Sequence, residues 1–135
     1  MNRDAIALWV DGYVQAWQTN EPDTIARLFT EDATYAASPF DAPWQGRAAI
    51  VAGWLGRRDA PGTWTFRYAV LAVTADGGVV RGWTTYPALQ QEFSNIWLIQ
   101  LNERGQCTAF TEWWMQRPAD HGARAEGTGD ASVAA

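Results

Sequence analysis

The chain contains no lysine, one cysteine and one histidine among its 135 residues. The lone Cys107 excludes an intramolecular disulfide and a zinc site built from several cysteines. The lone His121 lies in a terminal stretch of alanine, glycine and small polar residues, which argues against a histidine-based metal site or catalytic triad. We therefore expect no metal. Because the chain also has no glycine-rich phosphate loop, we expect no cofactor.

Basic charge and long apolar runs are also scarce. The formal net charge of −5 argues against a nucleic-acid surface and against an anionic membrane as partner. No apolar run approaches the length of a membrane span, and the N-terminal segment lacks the basic region and apolar core of a secretion signal. We expect a cytoplasmic protein that binds neither nucleic acid nor membrane.

Aromatic residues are abundant instead, with nine Trp, four Tyr and five Phe. Trp is large and its indole N–H needs a partner, so cores of this size use it sparingly. One interpretation is a thick aromatic core. The other is that several rings line a cavity for an apolar, ring-containing ligand.

The hydrophobic pattern predicts three helices followed by four long strands. Residues 4–19 have the helical period, with Asp4 as the expected N-cap, and shorter helices are expected from Pro22 and over 47–57. A short strand is expected at 33–36. Residues 63–75, 79–88, 93–102 and 107–117 read as strands, with hairpin turns at 76–78 and 102–105. This order indicates an α+β domain over residues 1–118, and 119–135 reads as a disordered tail.

Three segments carry a family resemblance: Tyr13–Trp17, the run "LFTEDATY" over 28–35, and "WQGR" over 44–47. They resemble the nuclear transport factor 2-like superfamily, and within it the SnoaL-like polyketide cyclases and ketosteroid isomerase-like proteins. The resemblance covers about residues 4–117. It implies a cone, in which a strongly bent, mostly antiparallel sheet wraps over three helices around an interior cavity. It does not fix the function, because the superfamily contains isomerases, cyclases, dehydratases, epoxide hydrolases and non-enzymatic binding modules.

The ketosteroid isomerase pattern is kept only in part. Its carboxylate base matches Ala37, which cannot abstract a proton, and its acidic oxyanion partner matches Trp97, with Asn95 two residues earlier. The tyrosine that polarises the substrate carbonyl in some members matches Tyr13. We therefore expect a different mechanism. The Asp–Arg–Asp set of the superfamily's epoxide hydrolases has only an unconvincing counterpart in Asp41, Arg81 and Glu112.

Glu112 is the main candidate for chemistry, because it shares a strand face with Phe110 and Trp114. A carboxyl group between large rings has a raised pKa, which suits a general acid–base. SnoaL-like cyclases carry an acidic residue on their last strand, and Glu112 resembles that placement. Two alternatives remain open: this face points outward while Trp113 and Met115 fill the core, or Glu112 simply pairs with Arg81.

Strand parity and the resemblance also predict the residues that bind a ligand. Asn95 and Trp97 share one strand face, and Thr84 and Tyr86 share another, so a few polar groups would stand among aromatic rings. Ordinary cross-strand pairs on a half-buried sheet would give the same pattern. The expected substrate-binding residues are Tyr13, Trp17, Tyr35, Trp54, Tyr86, Asn95, Trp97 and Trp114.

The sequence thus predicts a small-molecule pocket. The expected function is a cofactor-independent isomerase, cyclase or lyase that acts on an apolar ring-bearing substrate, with Glu112 as general acid–base. The alternatives are a non-catalytic module that binds a small hydrophobic molecule, and a homodimeric scaffold. A homodimer through the exposed sheet face is also expected, because the resemblance implies it (superfamily members commonly pair this way) and because Trp83 and Trp113 would be outward rings that need covering.

Overall fold

The computed structural model describes residues 1–119 and consists of three helices and a six-stranded sheet. The expected disordered tail lies, except for Ala119, outside the described residues. In chain order the elements are α1 (Arg3–Thr19), α2 (Pro22–Arg27), β1 (Phe29–Ala36), β2 (Trp44–Gln45), α3 (Arg47–Gly56), β3 (Thr65–Val73), β4 (Gly77–Tyr86), β5 (Gln91–Leu101) and β6 (Cys107–Gln116). A single 3-10 turn, Pro87–Leu89, connects β4 to β5.

The sheet has the order β2-β1-β6-β5-β4-β3. Only the β1–β6 pair is parallel, so the expected mostly antiparallel sheet and the α+β class are confirmed. Register shifts interrupt the pairing in β1–β6, β3–β4 and β5–β6. Such irregularities bend and twist strands, which helps a sheet curve over the helices packed on it.

Helix α1 packs its apolar stripe against the sheet. Ile6, Trp9, Val10 and Tyr13 are buried, at the helical spacings that the sequence predicted. The expected N-cap was wrong: Asn2 caps the helix by accepting a hydrogen bond from the Ala5 backbone at 2.8 Å, and Asp4 lies in the first turn. Both residue types cap well, so sequence preference alone did not separate them.

The two glycines expected to form the first hairpin turn belong to strand β4 instead. The turn lies one step earlier, where the backbone N–H of Thr74 donates to the carbonyl of Gly77 at 2.8 Å. A Cβ at position 77 would overlap the carbonyl group of Ile99 on β5. Glycine is therefore required for close strand approach at this point.

None of the helices described within residues 1–119 is long and apolar enough to cross a membrane.

Candidate functional site

A cavity of about 310 Å³ opens between the helices and the inner face of the sheet. This volume is at the lower end of the range typical of small-molecule sites. Glu112 and all eight residues expected to bind a substrate lie along its wall. The other lining residues are Ala37, Trp44, Arg57, Arg58, Asp59, Thr84 and Phe93.

The alternation of side chains along β5 and β6 brings Glu112 into this cavity. Trp97 stands directly opposite Glu112 in the β5–β6 register, and Phe110, on the same face of β6, is 1% exposed. The outward-facing Trp113 and Met115 are 46% and 51% exposed. The alternative that these two residues fill the core is therefore wrong.

Glu112 is held by a short chain of hydrogen bonds. Its Oε2 accepts from Asn95 Nδ2 at 2.8 Å and from Trp97 Nε1 at 3.1 Å. Thr84 Oγ1 donates to Asn95 Oδ1 at 2.8 Å, which orients the amide so that its NH2 group faces the carboxyl group. The other oxygen, Oε1, accepts no hydrogen bond within residues 1–119. The chain fixes the position of the carboxyl group and leaves one oxygen available to a ligand.

Burial raises the pKa of Glu112 above its ordinary value. The hydrogen bonds from Trp97 and Asn95 and the positive charge of Arg57 lower this pKa, and the negative charge of Asp59 raises it. The net direction is upward because desolvation disfavours the ionised form more than the two donors favour it. Glu112 thus has an increased tendency to hold a proton.

Two tyrosine hydroxyls meet near this carboxyl group. The hydroxyls of Tyr13 and Tyr35 lie 2.6 Å apart, and either can be the donor. Burial raises the pKa of both, and the charge of Glu112 raises each further. Both hydroxyls are therefore neutral near pH 7, and together they can present an O–H donor to an oxygen atom in the cavity.

Asp59 is a second carboxylate in the cavity, and the sequence analysis missed it. Its Oδ2 accepts from Trp17 Nε1 at 2.9 Å and from Tyr86 O–H at 2.8 Å. Its backbone carbonyl accepts from Asn20 Nδ2 at 2.9 Å, and Asn20 Oδ1 accepts from Trp54 Nε1 at 3.1 Å. These bonds tie the loop between α3 and β3 to α1 and β4, so Asp59 fixes one wall of the cavity.

The aromatic wall is continuous around Tyr13. The centroid of the Tyr13 ring lies 4.6 Å from that of Trp97 and 4.7 Å from that of Trp54. Trp44 stacks on Tyr35 at 4.9 Å. Trp114, which is 52% exposed, lies against the cavity at its open side. The cavity therefore offers flat apolar faces to a ring.

The remaining sequence candidates lie outside the cavity lining. Arg81 donates to the carbonyl of Gly82 at 2.6 Å and lies 4.1 Å from the Trp83 ring centroid, and Arg67 covers the same ring at 4.1 Å. The alternative pairing of Glu112 with Arg81 does not form. Asp41 is exposed and does not line the cavity, which leaves the Asp–Arg–Asp approximation without a structural basis.

Ala37 lines the cavity at the position matched to the ketosteroid isomerase base, so no carboxylate is present there. Within residues 1–119, no three His, Cys, Asp or Glu residues come together as a metal-binding group.

Comparison with known proteins identifies the family. The model of the SnoaL-like domain family matches residues 1–121, and the chain belongs to this family. A comparison with curated protein sequences found no significant match.

Solved structures show the same fold at low sequence identity. An NTF-2 like protein from Burkholderia xenovorans is 14% identical with a TM-score of 0.69, over 95% of this chain and 96% of that one. SalBIII, described as an epoxide hydrolase/cyclase-like enzyme in pyran ring formation in the polyether salinomycin, is 16% identical with a TM-score of 0.64, over 84% and 93%. An LEH-like epoxide hydrolase from M. tuberculosis is 17% identical with a TM-score of 0.56, over 82% of each chain.

Proposed function

We propose that the protein is a cofactor-independent isomerase, cyclase or lyase that acts on an apolar ring-bearing molecule, with Glu112 as the general acid–base. The observation that carries this proposal is the arrangement of the carboxyl group. One oxygen is held by Asn95 and Trp97, and the other has no partner within residues 1–119. A positioned carboxyl group with a raised pKa in an aromatic cavity suits proton transfer near neutral pH.

The proposed reaction is a proton relay. Neutral Glu112 donates the proton on Oε1 to a substrate oxygen, and the resulting carboxylate then accepts a proton from the substrate. Asn95 and Trp97 stabilise the carboxylate through their N–H donors during this exchange. Protons are conserved, so the residue returns to its starting state without an oxidant or reductant.

Two further groups of residues would bind the substrate. The hydroxyl pair of Tyr13 and Tyr35 would donate to a second substrate oxygen, and Trp54 and Trp97 would pack on its ring. Trp17 and Tyr86 would act indirectly by holding Asp59, and Trp114 would cover the open side.

Two proteins with the same fold have descriptions that name related chemistry. SalBIII is described as an epoxide hydrolase/cyclase-like enzyme, and the M. tuberculosis protein as an epoxide hydrolase. At 16% and 17% identity these likenesses show the fold alone. The proposal therefore depends on the arrangement around Glu112.

The test uses a panel of cyclic ketones, unsaturated lactones and epoxides in D2O, followed by NMR for deuterium incorporation or ring opening. Wild-type protein should turn over at least one compound, and Glu112→Gln should lower that rate by about two to four orders of magnitude while binding stays within a few-fold. Glu103→Gln, in an exposed turn, is the matched control and should keep the wild-type rate. Equal rates for wild type and Glu112→Gln would contradict the proposal.

The second candidate function is a binding module without turnover. The observation in its favour is that Glu112 and Asp59 both already accept two hydrogen bonds each, as carboxylates in purely structural networks do. Binding of panel compounds without any wild-type turnover would favour this function.

We also propose a homodimer through the outer sheet face. Leu98, Trp113 and Met115 are 39%, 46% and 51% exposed there, which is a large apolar area for a protein in water. A scaffold function alone would leave the aromatic cavity without a use.

A further inference from the structure

Arg57 is a charged residue on the cavity wall that the proposed proton transfer does not use. It follows helix α3, and its backbone N–H donates to the carbonyls of Gly53 and Trp54 at 3.2 and 3.0 Å. The helix end therefore fixes its main chain. Its guanidinium, in contrast, makes no hydrogen bond and no ion pair within residues 1–119. Five N–H donors remain available at the edge of the cavity.

Arg57 is an exposed residue that forms part of the cavity lining. The central carbon of its guanidinium lies 5.6 Å from the ring centroid of Trp44, which itself lines the cavity and stacks on Tyr35. The positive charge of Arg57 lowers the pKa of both Glu112 and Tyr35.

The neighbouring arginine has a different role. Arg58 Nη1 donates to the carbonyl of Leu55 at 2.7 Å, which satisfies a carbonyl of the last turn of α3. The helix end thus accounts for this bond of Arg58, whereas the contact given for the Arg57 guanidinium within residues 1–119 is the one with the Trp44 ring.

We propose that Arg57 binds a carboxylate of the ligand, so that the cavity takes an apolar ring compound carrying one carboxylate. This inference rests on the proposed function, because it assumes that the cavity holds a small molecule. It adds the chemical class of that molecule.

The choice of a carboxylate follows from the number and sign of the charges. One planar guanidinium matches one carboxylate through two parallel N–H···O bonds. A phosphate dianion carries more negative charge than a carboxylate, so Asp59 in the cavity lining and the net charge of −5 would repel it more strongly. The apolar ring would then contact the aromatic side chains that line the cavity beside Arg57, among them Trp44.

The test compares naphthoate with naphthamide, which have nearly the same shape and differ in charge. Dissociation constants are measured by saturation-transfer NMR titration for wild type, Arg57→Gln and the control Arg104→Gln, which removes the same charge from a distant exposed turn. Wild type and Arg104→Gln should bind naphthoate about tenfold more tightly than naphthamide. Arg57→Gln should bring the two constants within about twofold and leave naphthamide binding unchanged.

Each contrary result has a separate meaning. Equal affinity of wild type for the two probes, or a preference that survives Arg57→Gln, overturns the inference and leaves the cavity of the proposed function intact. Failure of both probes to bind overturns the inference and the small-molecule site together. A preference for naphthoate in a protein whose Glu112→Gln variant turns over normally supports the inference and removes only the catalytic proposal.

Discussion

Replacement of Glu112 by glutamine keeps the size and the acceptor oxygen of the side chain and removes its titration. In the folded protein burial raises the pKa of Glu112 above its unfolded value, which is about 4.3. The folded state therefore binds the proton more tightly than the unfolded chain does. The tighter proton binding by Glu112 stabilises the folded protein fully below the unfolded pKa, and this stabilisation is lost as pH rises through the folded pKa. Glutamine does not titrate, so the Glu112→Gln variant does not lose stability in this way.

The expected difference in free energy of unfolding between the two proteins follows from the same contacts. At low pH both side chains are neutral and accept from Asn95 and Trp97, so the two proteins should agree within about 1 kcal/mol in free energy of unfolding. As pH rises, the free energy of unfolding of the variant should increase relative to that of the wild type by about 1.4 kcal/mol for each unit by which the pKa of Glu112 is raised. Above the folded pKa the difference should stay constant.

The assay is urea unfolding of both proteins at pH values from about 4 to 9, followed by circular dichroism. The other titratable or charged groups that interact with Glu112 are Tyr13, Tyr35, Tyr86, Arg57 and Asp59, and they are present in both proteins. Their contributions therefore cancel in the difference. Parallel stability curves for wild type and variant over this range would refute the reasoning, because they would mean that Glu112 titrates alike in the folded and unfolded states.

Three other changes test the walls and the outer face. Gly53→Ala should lose about 1–3 kcal/mol by urea unfolding, because the new methyl group overlaps the indole of Trp44, whereas Gly56→Ala has open space and should be neutral or stabilising. Asp59→Ala should lose about 1–3 kcal/mol in the same assay, because two side-chain donors lose their acceptor, and a loss under about 0.5 kcal/mol would contradict the role given to this loop. Trp113→Arg should shift the protein from dimer to monomer in sedimentation velocity at micromolar concentration, and a monomeric wild type would refute the dimer.

Strand periodicity explains why much of the cavity was predictable. Side chains alternate across a strand, so the placement of Glu112 with Phe110, and of Asn95 with Trp97, followed from parity once the strands were recognised. Helical spacing placed Tyr13 in the same way. In a helix or strand, the position of a residue in the sequence indicates which way its side chain points. Most of the predicted residues lie in such elements.

Loops have no periodicity that indicates side-chain direction, and the residues that the sequence did not predict lie mainly in loops. Asp59 follows α3 by three positions, where no period indicates which way a side chain points. Trp44 and Arg57 lie at or near element ends, where Trp44 stacks on Tyr35 and Arg57 lies over the Trp44 ring. The signal for Asp59 would have been its closeness in sequence to the end of a helix bearing a pocket residue, which is weak without the fold.

The role of Asn20 was hidden for a similar reason. It reads as a helix stop, and it does end α1 in a left-handed conformation with φ of 56°, which asparagine tolerates better than most residues. Its side chain also joins Trp54 to the backbone of Asp59. A local role was predictable, whereas a contact across 39 positions was not.

The central claim is that Glu112 holds a proton in the cavity at pH values where an ordinary glutamate has lost it. Infrared difference spectroscopy measures this directly, as the carboxylic acid band of wild type minus that of Glu112→Gln during a pH titration. The account predicts a band that is absent from the variant and disappears with a midpoint above the ordinary value of about 4.3. A midpoint at or below that value would show that Glu112 is an ionised structural partner of Asn95 and Trp97, and would contradict the account.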